Sequence, residues 1–534
     1  MSDPRRWWRL DTGCRCAAEP SGGDVVASSV SDPGQSAAVQ RGPATTAASP
    51  AAALGATVTR IQLDRRRTAA ACALVLLAAA AGTLAPGRSA YALAGIGIAA
   101  AVSLLISQRI AAVLVGWVAI EGIAYPFVRY PIRHDLLTFD RVVLLSLAGA
   151  LVLERPRVRL SPPTKWLVWA FALFVAVYGA RAALTHQLPT APGYQPIERL
   201  QIPLDWLERA AFPLVTFLVA LKAVDVAMWG RLARALSFLG ASVAFIGLAE
   251  WKFGFELATL SHHSVFFDPY AHVVRVSGPY GDPTAYGGVL VVCIAATCFW
   301  VRQRDSRWLA PLLLLLEVVG LAPSYTKTIW LAGLVTLILG LGVSRRVNAR
   351  TAVVAAAVAV LVAGVYVLSQ HSAAVAERVT GSTQNFWGRL GDYQQGFLIF
   401  EKWPLFGAGF DQFINAQQFV KPVYVNGVAS ARSAHNTLIS VLAETGLAGF
   451  IPLILLTVAA AVVVHRYRRL ADTREEVLFG AALLAATVGV VLLSMTLLIS
   501  AYPPALTLYA LFLGTAAARI QTRSARTAGS NETG

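Results

Sequence analysis

Charge is scarce in this sequence. Only 14% of its 534 residues are Asp, Glu, Lys or Arg, against roughly 25% in a soluble domain. That shortage excludes an ordinary water-soluble fold. Lysine is scarcer still, at six of the 45 basic residues, which hints at a GC-rich genome and says nothing about mechanism. The cysteines form no CxxC pair and no metal-ligand spacing. Cys14 and Cys16 lie in a polar segment, and Cys72, Cys293 and Cys298 lie in apolar runs, so no disulfide framework or metal site is implied. A GxxxxGK[ST] phosphate loop and a dinucleotide fingerprint are both absent. Any chemistry must therefore draw on an activated substrate or a gradient.

Apolar residues are what the chain has in abundance. It is 56% hydrophobic with a mean hydropathy of +0.59, the composition of a polytopic membrane protein. The formal net charge of +16 would suit nucleic acid, but the basic residues sit in short clusters between apolar runs. That is the positive-inside pattern, and no nucleic-acid partner is expected.

Residues 1–60 are rich in Ala, Ser, Gly, Pro and Arg without apolar periodicity, and read as a disordered cytoplasmic tail. No apolar core follows the early arginines, so they do not read as a signal peptide. Apolar runs long enough to cross a bilayer begin after Arg65-Arg66-Arg67. The segment 61–518 reads as an all-α transmembrane bundle of about 12 to 14 helices, and 519–534 as a second cytoplasmic tail. Candidate spans include 68–85, 91–107, 164–184, 207–227, 284–302, 308–323, 326–344, 351–369, 447–465, 475–499 and 503–518.

With the N-terminus in the cytoplasm, nearly every dense arginine cluster falls on the same side: 65–67, 154–159, 302–307, 345–350, 465–469 and 519–526. That agreement supports both termini inside and a multi-pass protein of the inner or plasma membrane. Three longer loops then face outward, 185–206, 252–283 and 370–446. The last is the longest, and loops of that length tend to be functional. Within it Phe386, Trp387, Leu390, Tyr393, Phe397 and Phe400 recur at helical spacing, which predicts a helix along the membrane interface, broken by Pro404, Gly407 and Gly409.

Polar residues concentrate in four outward stretches. RVSGPYGDPTAYGG (275–288) sets Arg275 before a Gly–Pro turn at a membrane edge. PSYTKTIWL (323–331) puts Lys327 between two apolar runs, where a charge is expensive and tends to mark a site. RLGDYQQGFLIFEKWPLFGAGFDQF (389–413) places Arg389 and Asp392 at i, i+3, able to pair. SAHNTLISVLAETGLAGF (433–450) sets His435 and Asn436 at the mouth of a membrane helix, with Asn436 suited to cap it and Glu444 in a structural role. Each stretch alone also fits a bland role: a re-entry turn, a snorkelling lysine, an interfacial helix, a hydrogen-bonded structural histidine. Together they describe more. Three cations and one imidazole on one side suit a diphosphate held by guanidinium forks, with a base that titrates near neutrality. The cations, and no metal, would neutralise the leaving group.

Taken in order, RxxGxxxDPTAYG, a membrane-edge TK, RxxDYxxGFxxFEKWPLFGAGFDQF and AHNTLISVLAETGLAGF resemble the O-antigen ligase and polymerase superfamily. These motifs cover about residues 270–455. The resemblance implies a GT-C-like, metal-independent glycosyltransferase without cofactor. Its donor would be a polyprenyl-diphosphate-linked glycan, as on undecaprenyl diphosphate, and its acceptor a glycan or glycolipid hydroxyl at the outer face of the cell envelope. It maps the family's histidine onto His435, its loop arginine onto Arg389, and a membrane-edge arginine onto Lys327, where lysine keeps the charge and loses the bidentate fork. Arg275 matches the first motif. Ligase and polymerase share these motifs, and the choice stays open. Attack opposite the diphosphate would invert the anomeric carbon. The alternative from another class is a transporter or flippase of lipid-linked glycan. Glu121 and Glu317, inside apolar runs, are its best support, although no matching halves are evident.

Overall fold

In a computed structural model of the chain, the described residues are 97–532 apart from 101, 104, 107–108, 133–138, 154–159, 193–200, 254–265, 269–272, 304–307, 343–381, 426–427, 430–433 and 499–502. They belong to the compact unit Leu63–Gly534. The tail 1–60, the spans 68–85 and 351–369, most of 91–107, and the arginine clusters 65–67, 154–159 and 345–350 lie outside them.

The architecture is all-α, with two short antiparallel hairpins. The helices are α1 (Ile110–Ile132), α2 (Phe139–Leu153), α3 (Pro162–Leu184), α4 (Gln201–Trp206), α5 (Phe212–Ala223), α6 (Val226–Phe253), α7 (Pro283–Val301), α8 (Leu309–Gly320), α9 (Lys327–Gly342), α10 (Ser382–Lys402), α11 (Phe413–Ala416), α12 (Thr437–Leu470), α13 (Arg474–Thr496) and α14 (Pro503–Glu532). A π-helical turn, Leu207–Ala211, joins α4 to α5. Strands β1 (Phe266–Asp268) and β2 (Val273–Arg275) form one hairpin, and β3 (Tyr424–Val425) and β4 (Val428–Ala429) the other. Among the described residues, five helices are long and apolar enough to cross a membrane: α3, Met228–Phe253 within α6, α7, α12 and α13. Shorter apolar helices flank them at Ile110–Gly122, Leu309–Ser324 and Lys327–Gly342. The protein is a multi-pass membrane protein.

Helix α7 is the axis of the bundle. All its residues are buried, which suits its almost wholly apolar sequence. Its start follows from local chemistry: Pro283 occupies the first turn, where a missing N–H costs nothing. Asp282 caps it, accepting from the Thr284 and Ala285 amides at 2.6 and 3.1 Å. Helices α6, α8, α9, α13 and α14 pack around it. Trp229 anchors one end of the core, set edge-on against Phe479 and Phe512.

That end also gathers the arginines. Arg474 donates to the Arg302 carbonyl at 3.1 Å, Arg302 to that of Gly340 at 3.0 Å, and Arg519 and Arg523 both bind Glu476. Glu476 closes a capping box with Thr473 at the start of α13. Because α7 ends here while α13 begins here, the N-terminus of α7 and the C-terminus of α13 lie at the opposite end. That opposite end carries the polar motifs.

One membrane helix differs from expectation. The sequence predicts loop through residue 446 and a span over 447–465. Helix α12 instead starts at Thr437 and is interrupted at Gly446, whose φ of 60° and ψ of −158° are not helical. A short helix, Thr437–Thr445, therefore precedes the long one. Near residue 207 the polypeptide is already helical from Gln201, and the predicted span opens on the π-turn Leu207–Ala211.

Candidate functional site

The predicted polar motifs assemble around that short helix. Asn436 caps it, its Oδ1 accepting from the Leu438 and Ile439 amides at 2.9 and 3.1 Å. Its Nδ2 donates to the Met495 carbonyl at 2.8 Å, and the Thr437 hydroxyl donates to the Leu497 carbonyl at 3.1 Å. The HNT triplet is thus pinned to the C-terminus of α13. The Tyr393 hydroxyl of α10 reaches the same Met495 carbonyl at 3.2 Å, which brings the Arg389 helix to the same corner. Gly396 permits the close approach: a Cβ there would lie 2.3 Å from Ile439 Cγ2.

His435 sits just before the cap, half-buried, with φ at +43°. Left-handed backbone at a non-glycine residue costs on the order of 1 kcal/mol and persists only where the surroundings impose it. Among the described residues the other non-glycine positions with positive φ are Tyr325 and Asp411. All three lie in the polar motifs. The preceding Ala434 is buried in a small apolar cluster with Ile399, Phe413, Ala416 and Ala443, so the histidine is carried on packed backbone.

Burial, then the positive fields of Arg389 and Arg275, push the His435 pKa down to about 4. The imidazole is neutral at physiological pH. Arg275 ends β2 and is fixed to the turn before α9: its guanidinium donates to the Ser324 carbonyl at 3.3 Å and to the Thr326 hydroxyl at 2.5 Å, while the Val276 amide donates to the Pro323 carbonyl at 3.1 Å. Lys327 follows Thr326 directly and is exposed at the first position of α9. The structure therefore gathers His435, Arg389 and Arg275, and borders them with the turn that carries Lys327. Asp392 is fully buried on the inner face of α10, and Arg389 is not.

The PLFGAG segment has its own physical account. After α10 ends, the chain runs as a second strand of backbone against the break in α12. The Ala408 and Gly409 amides donate to the Ala443 and Glu444 carbonyls, and the Leu447 and Ala448 amides donate to the Pro404 and Leu405 carbonyls, all at 2.9 to 3.0 Å. These four bonds satisfy groups that the break would otherwise leave unpaired inside a membrane protein. Gly407 and Gly446 are required by this contact. A Cβ on Gly407 would fall 2.3 Å from the Glu444 carbonyl carbon, and one on Gly446 would fall 2.6 Å from the Gly407 nitrogen.

A second polar cluster was not singled out from sequence. Arg209, in the π-turn, pairs with Asp205 at 3.1 Å and Asp411 at 3.3 Å and stacks 5.5 Å over the Phe410 ring. Glu444 Oε2 accepts from the Asp411 amide at 3.3 Å. Gln412 and Asn415 accept from the Leu188 and Ala191 amides, each at 3.1 Å. The GFDQF run thus moors residues 185–191 and α12 to one another. The i, i+4 spacing of Asp205 and Arg209 was the available signal, and the assignment of residues up to 206 to a loop obscured it.

Comparison with known proteins adds one finding. Residues 310–454 match the family model described as O-antigen ligase, a stretch that includes Lys327, Arg389 and His435 and stops short of Arg275. No curated protein matches the chain. The match runs from α8 into α12, and over that stretch the chain is similar to the O-antigen ligase family.

Proposed function

We propose that the protein is a metal-independent, inverting glycosyltransferase that moves a glycan from a polyprenyl diphosphate to a sugar hydroxyl of a glycan or glycolipid acceptor. The reaction takes place at the membrane face opposite the arginine-rich end, the outer face by the positive-inside rule. What supports this reading is the convergence of His435, Arg389 and Arg275 at the front of the short helix, where burial and then the two positive fields keep the imidazole neutral. A lone buried histidine would suit packing. A histidine flanked by cations that repel its proton suits a base that waits for an anion.

The chemistry follows from charge. A diphosphate bound to Arg389 and Arg275, with Lys327 at the rim, cancels the positive field on His435 and makes the imidazole more basic. The donor thereby strengthens the base just when an acceptor hydroxyl needs deprotonating. As the hydroxyl oxygen attacks the anomeric carbon, the bond to the diphosphate breaks on the far side. The negative charge that grows on the leaving group meets guanidinium donors already in place. Ligase and polymerase differ in the acceptor, and this chemistry serves both.

Transport without catalysis is the weaker reading. Glu121 accepts from the Tyr280 hydroxyl at 2.7 Å, beside a cavity of about 50 Å³ shared with Asp140 and Glu208. Glu317 accepts from the Thr297 hydroxyl at 2.8 Å. Both acids are engaged inside the bundle.

The test is purified protein in vesicles with a lipid-linked glycan donor and acceptor. Wild type should yield relocated or lengthened glycan. His435→Ala should lose transfer about 100- to 10,000-fold while still binding donor. A folded His435→Ala protein that transfers at the normal rate would falsify the assignment of the base, and an unchanged glycan that crosses the vesicle membrane would point to transport.

A further inference from the structure

The segment between α10 and α11 stacks two guanidinium groups on two phenylalanines, and they differ in one respect. Arg209 lies 5.5 Å from the centre of Phe410 and has Asp205 and Asp411 as counter-ions. Arg181, in the last turn of the membrane helix α3, lies 5.7 Å from the centre of Phe406. It forms no ion pair among the described residues, and its buried Nε has no hydrogen-bond partner. An arginine at the edge of a membrane span reaches the interface, and there a single cation–π contact does not replace an anionic partner.

The surroundings indicate where the missing anion comes from. Phe406 is 59% exposed and its neighbour Leu405 is 61% exposed. Leu184 at the end of α3, and Leu447 and Ile451 on the adjacent turns of α12, are exposed as well. Leu184 lies one turn beyond Arg181 on α3, and the Leu447 and Ala448 amides hold the Pro404–Leu405 backbone against α12, so this exposed apolar face on two helices that cross the membrane is lipid-facing. The anion a bilayer supplies at the boundary between apolar chains and water is phosphate.

We infer that Arg181, with Phe406 and Leu405, is a binding site for a bilayer phospholipid, its phosphate held by the guanidinium and its acyl chain lying on the two apolar side chains. A guanidinium suits this task through its planar fork, which takes two phosphate oxygens together. The site anchors the tip of the segment whose backbone closes the break in α12. It is distinct from the diphosphate site proposed above, since it lies beyond the Glu444 end of the short helix and His435 lies before its first residue. The inference does not depend on glycan transfer.

The experiment uses the full chain purified in detergent, with melting temperature and retained lipid, counted by native mass spectrometry, as the two readouts. The probes are phosphatidylglycerol, its phosphate-free counterpart diacylglycerol, and farnesyl diphosphate. Phosphatidylglycerol should raise the melting temperature of wild type, less so that of Arg181→Lys, and not that of Arg181→Gln, which should retain one lipid fewer. Diacylglycerol should leave all three unchanged, and Lys402→Gln, an exposed control, should behave as wild type. Should Arg181→Gln fail to fold, an undiminished shift in Arg181→Lys overturns the inference. Equal phosphatidylglycerol shifts in wild type and Arg181→Gln overturn it too. So does a farnesyl diphosphate shift that disappears in Arg181→Gln while the phosphatidylglycerol shift persists, because Arg181 would then belong to the donor.

Discussion

The two ends of the short helix Thr437–Thr445 carry opposite charge problems. At its front, Arg389 and Arg275 crowd a neutral imidazole. At its back, about 13 Å along by the helical rise, three carboxylates, Asp205, Asp411 and Glu444, share one guanidinium, Arg209. At the back, two ion pairs and one backbone amide tie the acidic groups to the chain, so it behaves as a mooring. The front has a surplus of positive charge that a bound anion would relieve. A moored end and an end left incomplete are what a binding site built on a firm support requires.

Removing the base should be the sharpest break in this contrast, and the His435→Ala loss described above is the largest effect expected. Next comes the backbone contact that joins the two ends. Gly407→Ala introduces a Cβ 2.3 Å from the Glu444 carbonyl carbon at a φ of +65°. It should destabilise the protein by about 2–4 kcal/mol, the joint effect of overpacking and backbone strain, read as a fall in melting temperature or in the yield of folded protein. A Gly407→Ala protein that melts with wild type would mean that the PLFGAG backbone does not lie against the break. The front can then be probed alone. Arg389→Ala should weaken donor binding by roughly 1.5–3 kcal/mol, the range for a hydrogen bond to a charged group, while Arg389→Lys should lose less because it keeps the charge. Equal donor affinity in the three proteins would remove Arg389 from the diphosphate. The same change at the back, Arg209→Ala, should lower stability and leave the donor dissociation constant within about threefold of wild type.

Much of this was legible in the sequence because it rests on local chemistry. Asp282-Pro283 announces the start of α7, and Asn436 announces a cap. The aromatic periodicity over 386–400 gives α10, and Pro404 with two glycines ends it. The convergence of Arg275, Arg389 and His435 was readable only as three motifs on one side, since nothing local says that β2 would dock on the turn before α9. The break at Gly446 was hidden because residues 437–446 are apolar enough to continue a loop or a helix equally well. Only the partner backbone at 404–409 decides between them. Arg209 resembles an ordinary edge arginine until its counter-ions are known, and one more than 200 residues away, as Asp411 is, carries no local signal.

The smallest effect is also the most specific to the front. The His435 pKa lies at about 4, below the unperturbed value of about 6.5. Between those values the unfolded chain binds a proton at this position that the folded protein refuses. Stability therefore rises with pH across that window, is complete above about 6.5, and is lost as pH falls through about 4. His435→Gln should flatten that part of the melting-temperature profile. The same field governs activity. For free enzyme the acid limb of kcat/KM should fall near pH 4, whereas the acid limb of kcat, which reports the donor-bound state, should move to higher pH once the diphosphate cancels the arginine charge. Arg389→Ala should bring the two limbs together, because it removes much of the field that the donor would otherwise offset. If both limbs already lie near 6.5 in wild type, neither burial nor the arginines act on the imidazole, and the front of the helix is no more a site than the back.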